Sequence, residues 1–134
     1  MKFSHAALLS SAILFVAPSF AAAGTADIAK VWTGVVAPGM DTPVILTIKS
    51  AQPGGDAGTI KWGQPYTCTS QLVFVNQTDG AWVFTTQKGV GTFCVSMNGG
   101  KVYLRPARSK TDLQYRLNAA NGAPKQETVL SSAP

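Results

Sequence analysis

Along residues 43–50 apolar and polar side chains alternate, with Val44, Leu46 and Ile48 on one parity and Thr47 and Lys49 on the other. Successive side chains of a β-strand point to opposite faces, so this pattern predicts a strand with one dry and one wet face. The same period recurs in short runs rich in Val, Ile, Thr, Phe, Tyr and Trp, near residues 31–37, 58–62, 67–75, 81–87, 92–97, 101–105 and 112–118. The dry parity then collects Ile60 with Trp62, Leu72 with Phe74, Trp82 with Phe84, Phe93 with Val95, Val102 with Leu104, and Leu113 with Tyr115 and Leu117. Together with Trp32, these residues are the expected core.

Between the runs stand residues that tolerate tight backbone geometry. Asn98-Gly99-Gly100 is a strong hairpin signal because such residues accept positive φ. Thr78-Asp79-Gly80 and Lys88-Gly89 act similarly, and Pro53-Gly54-Gly55-Asp56 predicts a longer loop. No later segment sustains a helical period, so parallel strands joined by crossover helices have no source. The expectation is an all-β fold: a small antiparallel up-and-down barrel of eight short strands, with a two-sheet β-sandwich as the alternative. A barrel is favoured because closure removes exposed strand edges.

The segment before these strands reads differently. Lys2 precedes an apolar run from Ala6 through Phe20, which ends on Ala21-Ala22-Ala23. That is the layout of a secretory signal peptide with cleavage after Ala23. The run is shorter than the roughly 18 to 20 residues a membrane-spanning helix needs, and Pro18 interrupts it. The expected mature chain, residues 24–134, is one domain at 24–118 followed by a disordered tail at 119–134, which lacks apolar periodicity. It contains no further run suited to cross a membrane as a helix, and its expected location is periplasmic or extracellular.

Export changes the reading of the two cysteines. Cys68 and Cys94 in an exported small domain predict one disulfide. Cys94 has the opposite parity from Phe93 and Val95, so a bulge near Gly91 or a later strand start is expected to turn it toward Cys68.

Export also removes chemistry. The one histidine, His5, lies in the leader. Histidine-dependent nucleophiles and bases and most zinc sites are thereby excluded from the mature chain. The acids Asp27, Asp41, Asp56, Asp79, Asp112 and Glu127 fall in leads, turns, strand edges or the tail, not in the facing pair a carboxylate hydrolase needs. A non-enzymatic protein without cofactor or metal is expected.

The chain holds 11 Lys and Arg against 6 Asp and Glu, and loss of Lys2 with the leader leaves a net charge of about +4. Tyr103, Arg105, Arg108 and Lys110 cluster around the loop after the seventh run, with Arg116 on the eighth. Arginine offers paired hydrogen bonds to carboxylate and phosphate, so these residues are candidates for contact with an acidic protein or an anionic glycan. Modest charge and export argue against nucleic acid. Trp62 and Tyr66 frame a turn beside Cys68 and are a second candidate contact. The expected function is macromolecular binding of the inhibitor or immunity type. The alternative is a carrier for a small apolar ligand in the barrel mouth.

Overall fold

The computed structural model describes residues 25–36 and 41–134. The leader at 1–23, with its cleavage site, lies outside them. A single 3-10 turn, Ala26–Ile28, leads into strands β1 (Val31–Val36), β2 (Thr42–Ile48), β3 (Asp56–Trp62), β4 (Cys68–Thr78) and β5 (Ala81–Val90). A short helix α1 (Thr92–Ser96) follows, then β6 (Lys101–Pro106), β7 (Asp112–Asn118) and β8 (Pro124–Ser132). Each strand pairs with the next, and β8 returns antiparallel to β1, so the sheet closes as a barrel in chain order. The sandwich alternative is thereby excluded.

Alternation in the sequence becomes inside and outside in the barrel. In β2, Thr42, Val44, Leu46 and Ile48 are buried while Pro43, Ile45 and Thr47 are exposed. The axis is filled by Trp32, Trp62, Tyr115, Phe74 and Phe84 with Leu46, Ile60, Leu72, Leu104 and Leu117, all below 2% exposure. Side chains thus fill this small barrel's interior.

Two segments depart from expectation, and their errors compensate. The predicted strand at 92–97 is mainly helix α1, whereas the predicted disordered tail contains strand β8. In α1 the turn of the helix carries Cys94 inward and leaves Val95 at 55% exposure, which resolves the parity conflict at Cys94. Entry to the helix passes through Gly91 at φ 98°, where an added Cβ would stand 2.9 Å from Cys68 Cβ. The backbone can therefore lie directly on the cystine. Cys68 and Cys94 are bonded, with Cα atoms 6.1 Å apart.

Strand β8 is held less by apolar burial than by pairing. Leu113 through Leu117 of β7 oppose Leu130 through Gln126 of β8, and Thr33 and Trp32 of β1 oppose Ser131 and Ser132. At this seam a Cβ on Gly34 would come within 2.6 Å of Leu130 Cδ2, so glycine permits the close approach.

The two barrel ends are closed by different means. At one end, Trp62 meets Phe93 of α1 edge-on at 5.2 Å, and Tyr66 stacks on the same ring at 3.9 Å. At the other, the lead inserts Ile28 into the core, and the Thr25 hydroxyl donates to the Lys49 carbonyl while accepting the Ala51 N–H. Trp32 Nε1 donates to the Ile28 carbonyl at 2.9 Å and holds that plug.

Candidate binding surface

On β6 and β7 the inward positions are Val102, Leu104, Leu113, Tyr115 and Leu117, all buried. Period two then sends Lys101, Tyr103 and Arg105 of β6, with Gln114 and Arg116 of β7, to the outside. Register decides which of them meet. Tyr103 lies directly opposite Arg116, and Arg105 opposite Gln114. Glu127 of β8 lies opposite Arg116 on the far side.

The resulting concavity has a volume of about 230 Å³ and is lined by Tyr103, Arg105, Gln114, Arg116 and Glu127, together with Tyr115 and Asn118. Its two arginines are held unequally. Arg105 Nη1 donates to the Asp79 carbonyl at 2.9 Å, tying the guanidinium to the β4–β5 turn. Outside the concavity but on the same outward face, Lys101 Nζ donates to Thr85 Oγ1 at 3.0 Å. Arg116 Nη2 stands 3.5 Å from Glu127 Oε1, with both side chains largely exposed. An exposed pair of this kind is weak, so Arg116 can exchange its partner for an incoming anion at little cost. Two arginines and one exposed-face phenol around a single carboxylate, with Lys101 further along the same face, make a surface suited to carboxylate or phosphate groups.

The sequence-predicted cluster is only partly assembled. Tyr103 and Arg105 share this concavity and recruit Arg116, but Arg108 and Lys110 line a separate cleft at the barrel end. The division is made by the β6–β7 turn, where Asp112 N donates to the Ser109 carbonyl and Ala107 N to the Asp112 carbonyl. Glu127 was not legible as a site residue because its segment reads as a tail; pairing with β7 is what brings it here.

The second predicted contact also divides. Trp62 has no exposed surface, and its Nε1 donates to Gln126 Oε1 at 3.0 Å inside the barrel. It is a core residue and not a surface anchor. Tyr66 is 37% exposed, stacked on Phe93.

Tyr115 OH donates to the same Gln126 oxygen at 2.9 Å, so one inward amide accepts from two buried donors. Burial pushes the Tyr115 phenol well above the usual tyrosine range, against a smaller lowering by the nearby Trp62 indole N–H. Asp56 shifts the other way: the Gly58 backbone N–H and then the Gln71 side chain hold its carboxyl below the usual range against desolvation, with smaller help from Lys49.

Among the described residues, no group of three His, Cys, Asp or Glu side chains is placed to share a metal ion, and no helix is long and apolar enough to cross a membrane. No family model, curated protein or solved structure matches the chain.

Proposed function

We propose that this is an exported, non-enzymatic barrel protein that binds an acidic protein surface through the outer face of β6, β7 and β8, in the manner of an inhibitor or immunity-type protein. The observation that carries the reading is the register that sets Tyr103 against Arg116 and places Arg105 and Lys101 beside them on one outward face. A rigid platform supports affinity because little conformational freedom is lost when its partner docks. Excess positive charge also speeds encounter with an acidic partner.

The filled interior agrees with binding on the outside of the barrel. Export is supported by the cystine, which suits an oxidising compartment, and by the leader pattern at residues 1–23. Pull-down from periplasmic extract with the purified protein should recover a protein partner. Joint Arg105→Glu and Arg116→Glu replacement should reduce recovery by about tenfold or more. Undiminished recovery overturns the assignment of this face, and a partner destroyed by glycosidase but not by protease replaces the acidic protein with an anionic glycan.

A further inference from the structure

The lead that plugs one barrel end leaves a gap between itself and the β6–β7 turn. This cleft, of about 240 Å³, has Ile28, Trp32, Trp82 and Leu113 at its base and Arg108 and Lys110 on its turn side. Its base is apolar and largely aromatic. Its volume lies below the range of drug-sized pockets, which limits an occupant to a small body such as one ring.

Charge around the cleft is not evenly disposed. Among the described residues Arg108 and Lys110 form no ion pair. Two carboxylates also line the cleft, Asp112, whose Oδ1 accepts the Ser131 hydroxyl at 2.8 Å, and Asp27 on the lead, and neither is ion-paired with Arg108 or Lys110. The turn itself is stiffened by the Ser109–Thr111 hydroxyl contact and by its two backbone hydrogen bonds. An apolar base beside two cations without a protein partner is complementary to a molecule with a ring at one end and an anion at the other.

We infer that this mouth cleft is a second binding site, for a small aromatic carboxylate whose ring rests on Trp82 and Ile28 and whose carboxylate meets Arg108 and Lys110. The inference goes beyond the outer-face reading and does not depend on it, since the two cavities share no lining residue.

Phenylacetate is a suitable probe, with phenylacetamide and phenethylammonium as its neutral and cationic counterparts. Titrated into the purified protein, phenylacetate should change tryptophan fluorescence saturably and shift the indole N–H resonances of Trp82 and Trp32. Arg108→Ala with Lys110→Ala should weaken it by about tenfold or more. Both side chains are exposed, so the doubly replaced protein should keep its melting temperature, which separates lost binding from lost folding. Absence of saturable binding, equal affinity for phenylacetamide, or tighter binding of phenethylammonium would overturn the assignment.

Discussion

The two ends of the barrel solve the same problem in opposite ways. At the cystine end, a covalent bond fixes α1 to β4, and Phe93 lies between Trp62 and Tyr66, so closure is rigid and aromatic. At the lead end, Ile28 plugs the core and is held by hydrogen bonds from Trp32 Nε1 and around Thr25, while a cleft remains beside the β6–β7 turn. The contrast teaches that a fold this small can lock one end and keep the other adaptable. A rigid end supplies stability, and the end held by weaker contacts is where rearrangement costs least.

Breaking the covalent end should have the largest effect. Cys68→Ala with Cys94→Ala releases a loop closed across 26 positions and should lower unfolding free energy by about 3 to 4 kcal/mol in urea titrations. Hydrogen exchange should rise first in α1 and the start of β4, with the lead the last to follow. Equal loosening of both ends would erase the comparison.

A smaller effect is expected where the cystine end connects to the seam strand. Trp62 and Tyr115 both donate to Gln126, so β3 and β7 are tied to β8 through one side chain. Tyr115→Phe removes one of these bonds and should cost about 1 kcal/mol at neutral pH. The phenol's pKa is raised in the folded state, so its contribution is fully present below the unfolded tyrosine value, about 10, and is lost as pH rises beyond it. Melting temperatures of the parent should therefore fall above that pH, and those of the Tyr115→Phe protein should fall less. Parallel alkaline limbs would contradict the assignment of that sensitivity to Tyr115.

The sequence revealed these regions unequally. Strand β2 was legible because each apolar residue on its inward parity repels water without help from elsewhere. Strand β8 was not, because its inward residues begin with Gln126 and Thr128, polar groups that make sense only beside donors and neighbours supplied by distant strands. Helix α1 is too short to display a helical period, and its Phe93 and Val95 imitate a strand; the parity of Cys94 was the clue against that reading. For the candidate surface, parity alone placed Tyr103 and Arg105 together outside. That Arg108 and Lys110 line a different cavity depends on the conformation of the β6–β7 turn, which composition does not reveal.

Recognition of acidic groups is proposed for the outward face of β6, β7 and β8. Isotope-labelled protein titrated with polyglutamate at low salt tests it residue by residue. Resonance shifts should centre on Lys101, Tyr103, Arg105 and Arg116 and fade as salt is raised, because exposed charges are screened. Shifts centred on Tyr66, Val90 and Val95 at the cystine end, or no saturable shifts on β6 and β7, would contradict it.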